Sequence, residues 1–508
     1  MFYYKDIILD KNNLNKLECS ESARKGDPIA QYNLGSCYQH GNGVIKDYNK
    51  ALLWYSKSAN NGYALGQNNL GELYEKGFGC NKDYNKAFEW YSKSANYECA
   101  EGQKNLGNCY YYGRGITKDY NKAFELYLKS ANNGCALGQN SLGFCYKNGI
   151  GVKKDYDKAV EWFFKAANNG CALGKNNLGV CYRYGIGVTK DINKAFDLYS
   201  ESANDGCAEG QYNLGNCYYH GIITDVNYNK AFEWYFKSAN EGFNPTQYNL
   251  GYCYQYGKGV AKDYNKAFIL YYKSANNGFC SGQNNLGLCY ERGFGTNKDY
   301  KKAFEWYSKS ADNGCAEGQN NLGFCYEKGF GTNKDYKKAF EWYTKSAEKG
   351  CAIGQRGLGS CYYYGNGVSQ DYKKAIEWYV KSAGKGDSIA KNNLGCCYLY
   401  GCGFIQNYEK AFKWFSRSAN DGCSLGQNAL GYCYEKGFGT DKNYNKAFEW
   451  YLKASNNGDP KGYYNLGKCY HYGIGTSINI EEAIILYNKA LDKGIKDATN
   501  ELNKILKF

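Results

Sequence analysis

Cysteine thiols are the most frequent groups in this chain that could perform redox, nucleophilic or metal chemistry, since there are 24 of them. Twelve occupy one position of a 36-residue repeat, Cys109 and Cys145 among them, and Leu73 takes that position once. Seven more, such as Cys135, stand ten residues earlier. Because ten helical residues span about 15 Å and a disulfide needs Cα atoms within about 7 Å, Cys135 and Cys145 cannot bridge within one helix.

We interpret these cysteines as small buried hydrophobic residues of a reducing compartment. Disulfides between repeat units are the alternative that the sequence leaves open. Metal binding is disfavoured because no CxxC pair is present, and Cys396 and Cys397 are merely adjacent.

The other residues that could do chemistry do not form a catalytic set. The three histidines, His40, His220 and His471, lie many repeats apart. The Gly-x-Gly pattern of Gly77 and Gly79 follows a predicted helix rather than a strand and lacks a third glycine, so it does not predict nucleotide binding. No Ser-His-Asp set, paired-carboxylate motif or P-loop is present. We therefore predict no enzyme activity, no catalytic residue, no metal and no cofactor.

The elements that must position any functional side chain are set by the repeat itself. A Leu-Gly step recurs every 36 residues without insertion or deletion, and a period in this range is typical of a solenoid. Its leucines are Leu34, Leu70, Leu106, Leu142, Leu178, Leu214, Leu250, Leu286, Leu322, Leu358, Leu394, Leu430 and Leu466. All nine tryptophans share a second position, three residues after a repeated alanine, as in Trp90 after Ala87.

Each unit predicts two antiparallel helices of about 12–14 residues. In one, Tyr84, Ala87 and Tyr91 recur at helical spacing, and Asp83 stands where a helix N-cap is expected. The other helix carries the Leu-Gly step, and Gly-x-Gly forms the turn between the two. The fold class is therefore all-α, an α/α superhelical solenoid of about 13 helix–turn–helix repeats of 36 residues.

The chain divides by pattern into three parts. Residues 1–26 read as a degenerate capping helix, residues 27–494 as the 13 repeats, and residues 495–508 as a capping helix at the other end. The start has charges where a signal peptide needs an apolar core, and no run approaches the about 18 apolar residues of a membrane span. We expect a soluble cytoplasmic protein. Its net charge of +14 comes mostly from lysines interspersed with acidic residues, which favours a solvated surface.

The repeated string closely resembles the Sel-1-like repeat family. Representative stretches are NLGNCYYYGRGITKDYNKAFELYLKSANNG at 105–134 and NLGYCYQYGKGVAKDYNKAFILYYKSANNG at 249–278, and the resemblance covers residues 27–494. It implies a fold similar to tetratricopeptide arrays and a role as an adaptor that holds protein complexes together. Some secreted relatives carry a disulfide-forming Cys where this chain has Ser58 or Ser94, and this departure weakens the disulfide alternative.

By the same analogy, a partner would bind the concave side, at positions two before and two after the repeated leucine. Asparagine amides can pair with an extended peptide backbone, and aromatic rings add apolar area. A compositional origin of the Asn and Tyr bias remains the alternative. The predicted groove comprises Asn68, Asn140, Phe144, Asn176, Tyr212, Tyr248, Tyr252, Asn284, Leu288, Asn320, Phe324 and Asn392.

The function predicted from these observations is a non-enzymatic scaffold that binds one or more proteins, or an extended peptide. The alternative is a basic, Tyr-rich solenoid that binds nucleic acid or another polyanion, with binding that collapses as salt rises. The mixture of Lys86 with Glu89 and of Lys302 with Glu305 argues against it. The sequence does not name the partner, the pathway or the oligomeric state.

Overall fold

The computed structural model describes residues 21–506, and the regular structure in this range is helical throughout. Two kinds of 13-residue helix alternate. The helices with the Leu-Gly step, called A helices, are α1 (Pro28–His40), α3 (Ala64–Lys76), α5 (Ala100–Tyr112), α7 (Ala136–Asn148), α9 (Ala172–Tyr184), α11 (Ala208–His220), α13 (Asn244–Tyr256), α15 (Cys280–Arg292), α17 (Ala316–Lys328), α19 (Ala352–Tyr364), α21 (Ser388–Tyr400), α23 (Ser424–Lys436) and α25 (Pro460–Tyr472).

The B helices alternate with them and carry all nine tryptophans, and a last helix follows. These are α2 (Tyr48–Asn60), α4 (Tyr84–Asn96), α6 (Tyr120–Asn132), α8 (Tyr156–Asn168), α10 (Ile192–Asn204), α12 (Tyr228–Asn240), α14 (Tyr264–Asn276), α16 (Tyr300–Asp312), α18 (Tyr336–Glu348), α20 (Tyr372–Gly384), α22 (Tyr408–Asn420), α24 (Tyr444–Asn456), α26 (Ile480–Asp492) and α27 (Asp497–Leu506). The predicted all-α solenoid of thirteen 36-residue helix pairs is confirmed.

Side-chain caps begin the B helices. The Asp83 carboxylate accepts hydrogen bonds from the backbone N–H groups of Asn85 and Lys86, both at 3.0 Å. The Asp or Asn at the same position caps α2 and every later B helix up to α26. Such caps satisfy backbone donors that would otherwise have no partner, so the predicted N-cap role is confirmed.

Left-handed backbone conformations make the turns short. Gly113 and Gly115 both have φ of 73°, and a Cβ on Gly115 would collide with the carbonyl oxygen of Tyr84. Glycine is therefore required for both conformation and space. Within residues 21–506, two residues adopt this conformation without being glycine, Glu98 (φ 57°) and Ile223 (φ 73°). The departures from the repeat at 98 and 223 thus keep the turn geometry at the expense of backbone strain.

The core forms between the B helix of one repeat and the A helix of the next. Ala123, Tyr127 and Ala131 of α6 are buried against Leu142 and Cys145 of α7. Burial of a large side chain of this kind stabilises the fold by about 1.5–3 kcal/mol. A helix pair therefore buries its apolar stripe on the next pair, as a solenoid requires.

A buried serine joins three successive helices. The Ser130 Oγ of α6 donates a 2.6 Å hydrogen bond to the Ala100 carbonyl oxygen at the start of α5. On its other side, a Cβ added to Gly138 of α7 would collide with the same hydroxyl. The contact explains why the chain has a serine here and a glycine four residues before the Leu-Gly step.

The helices group into two compact units. One ends at Thr246 and includes Gly257–Ala261; the other consists of Gln247–Tyr256 and the chain from Lys262 onward. Within the second unit, α27 packs on α26, where Ala498 is buried with Ala483 and Tyr487. The predicted capping helix of residues 1–26 lies for the most part outside the described residues.

Candidate partner-binding face

The six asparagines of the predicted groove are buried. Asn68, Asn140, Asn176, Asn284, Asn320 and Asn392 are between 3 and 9% exposed. They lie on the A helices two residues before the repeated leucine, at the base of the surface that we call the A-face. The A-face is formed by the A-helix positions from five residues before to six residues after this leucine.

Their amides are used within the chain. The Nδ2 of Asn105 donates a 2.8 Å hydrogen bond to the Oδ1 of Asn68 in the preceding repeat, and Asn177 does the same to Asn140. Equivalent 2.8 Å bonds join Asn213 to Asn176, Asn321 to Asn284, and Asn465 to Asn428. We call this series the amide ladder. Because buried amides need partners, the ladder stabilises contacts between neighbouring repeats.

The two groove tyrosines at this position pack instead of entering the ladder. Both are half-buried. Tyr212 lies 5.3 Å from the ring of Phe243, and Tyr248 lies 5.6 Å from the ring of Phe279, measured between centroids. The aromatic partner is the residue that precedes the next A helix. These rings therefore serve the interface between repeats, and a role in partner binding stays a prediction.

The residues two after the leucine are more accessible. Phe144 is 40% exposed, and Tyr252, Leu288 and Phe324 are half-buried. Phe144 borders a pocket of about 390 Å³ in the first unit, which we call the Ser141 pocket. Its lining comes from four successive A helices and α6: Asn108, Tyr111, Tyr112, Tyr127, Asn140, Ser141, Phe144, Leu173, Asn177 and Glu209.

A second pocket of about 280 Å³, which we call the Gly357 pocket, lies in the second unit and contains the equivalent positions Asn320 and Phe324. It is more polar, because Arg356, Lys328 and Glu327 also line it. The structure thus brings Asn140 together with Phe144, and Asn320 together with Phe324. The remaining predicted residues lie on other repeats.

Many of the chain's aromatic rings are covered by its own cations. On the B helices, Lys93 Nζ lies 4.1 Å from the Trp90 ring centroid, and the same pairing recurs from Trp54 to Trp450. In the turns, Lys298 lies over Tyr300, whose ring also stacks with Phe330 at 4.7 Å. Rings occupied in this way are poor platforms for stacking nucleic-acid bases.

Thirteen consecutive segments match the family model described as the Sel1 repeat. They are residues 28–63, 64–96, 100–135, 136–171, 172–207, 208–243, 245–279, 280–315, 316–351, 352–387, 388–423, 424–459 and 460–495. The chain belongs to the Sel1-repeat family. Such a solenoid is typical of protein-interaction scaffolds.

Solved Sel1-repeat structures resemble it. Protein c5321, a protective antigen of uropathogenic Escherichia coli displaying an SLR fold, is 33% identical; the match covers 91% of this chain and 98% of that one, with a TM-score of 0.55. A Sel1 repeat protein from Oxalobacter formigenes is 30% identical over 48% of this chain and 96% of that one, with a TM-score of 0.43. Among curated proteins, none matches this sequence.

The cysteines of this Sel1-repeat chain are free thiols within residues 21–506. Of the twelve at the repeated position, all but Cys37 are buried. Burial raises the pKa of Cys145 and of Cys289 to about 12, which keeps these thiols protonated and unreactive. In the same range, no group of three or more His, Cys, Asp or Glu residues is arranged to hold a metal ion, and no helix has the length and apolarity to cross a bilayer.

The sequence interpretation missed that the position two before the leucine faces the start of the next A helix. A signal for it was present at a spacing of 31 residues, between the position two before the leucine and the residue preceding the next A helix. Asn320 is followed at this spacing by Cys351, Tyr248 by Phe279, and Arg356 by Asp387. In the last pair, Arg356 Nε donates a 3.0 Å hydrogen bond to an Asp387 carboxylate oxygen. Such matched pairs indicate an interface within the chain.

Proposed function

We propose that this Sel1-repeat protein is a non-enzymatic scaffold that binds a protein or an extended peptide on its A-face. The observation that carries the proposal is the placement of Phe144 and Phe324, each beside a pocket at the same position of its repeat. Apolar side chains beside polar groups in a concave surface are typical of binding sites. A location in the cytoplasm is part of the same proposal.

The buried amide ladder narrows the surface available to a partner. Most of its asparagines are already hydrogen-bonded across repeats, so they support the A-face from below. The accessible positions are Phe144 and its equivalents, together with exposed rings at the ends of A helices, such as Tyr112 and Tyr184. We expect contact with a partner to rest mainly on these side chains.

Serine substitution tests the proposal. The triple variant Phe144→Ser, Tyr252→Ser and Phe324→Ser should lose the proteins that the full chain captures from lysate, while far-ultraviolet circular dichroism shows unchanged helicity. The matched control is Phe164→Ser, Phe236→Ser and Tyr272→Ser, which removes three rings about half exposed on B helices. This control should retain the captured proteins.

The salt dependence of capture separates the two candidate partner classes. Binding through apolar side chains should persist between 50 and 500 mM salt. Contacts with a polyanion should weaken over this range, because the Debye length falls to about 4 Å at the upper end. Capture that disappears over this range together with nucleic acid in the eluate would favour the polyanion alternative. Undiminished capture by the A-face triple variant would contradict the proposed scaffold surface.

A further inference from the structure

The asparagine that donates in the amide ladder is replaced in three repeats, and we call these replacements the interruptions of the ladder. The residue immediately before the repeated leucine is asparagine in ten repeats, but it is Ser141, Gly357 and Ala429 in the other three. In four repeats where the preceding residue is also asparagine, this asparagine accepts a hydrogen bond from it, as Asn69 does from Asn68 at 3.1 Å and Asn285 from Asn284 at 3.2 Å. It also donates to the preceding repeat. Each interruption therefore leaves amide groups without their usual partner.

At Ser141 the amide group that lacks its usual partner is a hydrogen-bond donor, the Nδ2 of Asn140. The Asn140 side chain is only 6% exposed, and its Oδ1 is already bound to Asn177. Its Nδ2 lacks the acceptor that the next residue supplies elsewhere, because Ser141 is too short and its hydroxyl donates to the Leu137 carbonyl oxygen. Asn140 lines the Ser141 pocket. The Nδ2 group is not enclosed by protein, so this donor, on a largely buried side chain that lines the pocket, is available to an acceptor supplied from outside.

At Gly357 the amide group that lacks its usual partner is a hydrogen-bond acceptor, the Oδ1 of Asn320. Asn320 is 7% exposed and donates to Asn321 at 3.0 Å, but Gly357 has no side chain that could donate to its Oδ1. Asn320 and Gly357 both line the Gly357 pocket. At Ala429 the same loss leaves the Oδ1 of Asn392 buried without a hydrogen bond. Two of the three interruptions therefore coincide with a pocket on the A-face.

We propose that this protein hydrogen-bonds to the backbone of an extended polypeptide at the interruptions of the amide ladder, and that the Ser141 pocket is the main site. The inference rests on the proposed function and specifies where and how the partner is bound. A peptide carbonyl oxygen accepts from Asn140 Nδ2. This places main-chain recognition at the bottom of the pocket, where side-chain identity matters least.

The residues that line the Ser141 pocket indicate which types of side chain the partner carries. Tyr112, Phe144 and Leu173 form an apolar wall that fits a large apolar residue. Glu209 lines the part contributed by α11, and its carboxylate accepts a 3.3 Å hydrogen bond from Cys207 Sγ but forms no ion pair with a Lys or Arg of residues 21–506. A carboxylate without a cationic neighbour favours a Lys or Arg of the partner. A lining drawn from four successive A helices suits an extended segment better than a compact molecule.

The variant Ser141→Asn closes the interruption with a residue that the chain already uses at ten equivalent positions. The new Oδ1 would accept from Asn140 Nδ2, as Asn69 accepts from Asn68, and would leave no donor for a peptide. Ser141→Ala is the matched control, because it keeps the interruption and alters only a hydroxyl that serves the chain itself. Asn140→Asp gives an independent test, since it removes the donor while keeping the acceptor for Asn177.

The probe is a phage-displayed library of random linear dodecapeptides, selected on the full chain. We expect selected peptides to share a large apolar residue and a Lys or Arg. In fluorescence anisotropy, a synthetic selected peptide should bind Ser141→Asn and Asn140→Asp at least about tenfold more weakly than the unmodified protein, consistent with loss of a buried hydrogen bond. Ser141→Ala should bind within about twofold of the unmodified protein. The melting temperature of Ser141→Asn should not fall.

Two results would overturn the inference, and they are distinguishable. If peptides are selected but Ser141→Asn binds them as tightly as the unmodified protein, the site is elsewhere and the proposed function stands. If the unmodified protein selects no peptide, the inference fails together with the proposal that the A-face binds extended peptides.

Discussion

The buried serine hydroxyls each form a hydrogen bond at a contact between closely packed helices. Ser310 Oγ donates a 2.7 Å hydrogen bond to the Cys280 carbonyl oxygen, and the side chain is fully buried. The acceptor lies at the N-terminal end of α15, 30 residues earlier. The bond therefore links neighbouring helices rather than turns of one helix. Ala166, Ala454 and Ala490 take the same position in three repeats, so the fold tolerates its absence.

Substitution of Ser310 by alanine should lower the free energy of unfolding by about 1 kcal/mol, because a buried carbonyl loses its donor. Urea denaturation followed by circular dichroism measures this change. Ser308→Ala is the control, since Ser308 bonds only to Phe304 of its own helix and should change stability by less than about 0.5 kcal/mol. Equal effects of the two substitutions would contradict the interhelical role.

At the level of the element, residue types recur in pairs along successive A helices. Each of the six groove asparagines is followed at the next helix start by a cysteine, as Asn320 is by Cys351. Tyr212 and Tyr248 contact an aromatic residue there, and Arg356 binds Asp387. The last pair is the most demanding, because the Asp387 side chain is 8% exposed and also accepts from the Ala390 backbone N–H at 2.8 Å. A buried carboxylate needs its cation.

The variant Arg356→Asn should therefore destabilise the protein by about 1–3 kcal/mol, since it leaves the Asp387 carboxylate without its charged partner. Adding Asp387→Cys creates the Asn–Cys pair of neighbouring repeats and should restore most of the loss. Chemical denaturation of the single and double variants measures the coupling. A double variant no more stable than Arg356→Asn would show that the two positions do not act as a pair.

The helices were predictable from the sequence because their causes are local. Asp83 caps its helix within three residues, and Gly113 ends one within a single turn. The burial of Asn140 was not predictable in the same way, since its partner Asn177 is 37 residues away and an asparagine reads equally well as a solvated residue. The accessible position of Phe144 followed from the repeat register alone. Its function as a partner contact remains a prediction.

Repetition multiplies small effects over the whole molecule. Eleven thiols at one position of the repeat are buried, and burial raises their pKa, to about 12 for Cys109, Cys325 and Cys469. Their ordinary value is 9.0. The folded protein thus keeps protons that the unfolded chain releases above about pH 9. Stability from these groups is complete below that pH and is lost as the pH rises toward 12.

We therefore expect the urea midpoint to fall steeply between pH 9 and 11, and to vary little between pH 7 and 8.5. A buried thiol contributes at most about 1.4 kcal/mol per pH unit in this range. Cys361→Leu, which copies the native Leu73, removes one of the eleven buried thiols. It should therefore reduce the slope of the urea midpoint against pH by the contribution of that one thiol. A midpoint that stays constant to pH 11 would contradict thiol burial as the cause.

The confinement of all nine tryptophans to one position has a spectroscopic consequence. Each indole lies on a B helix, and most of them are covered by a lysine ammonium group of the same helix. Intrinsic indole emission therefore reports on the stacking of helix pairs and on the loss of these cations during unfolding. Because no tryptophan lines the Ser141 pocket, we expect this emission to change little when a peptide binds there, so titrations of this protein need a labelled peptide or a dye placed beside Phe144.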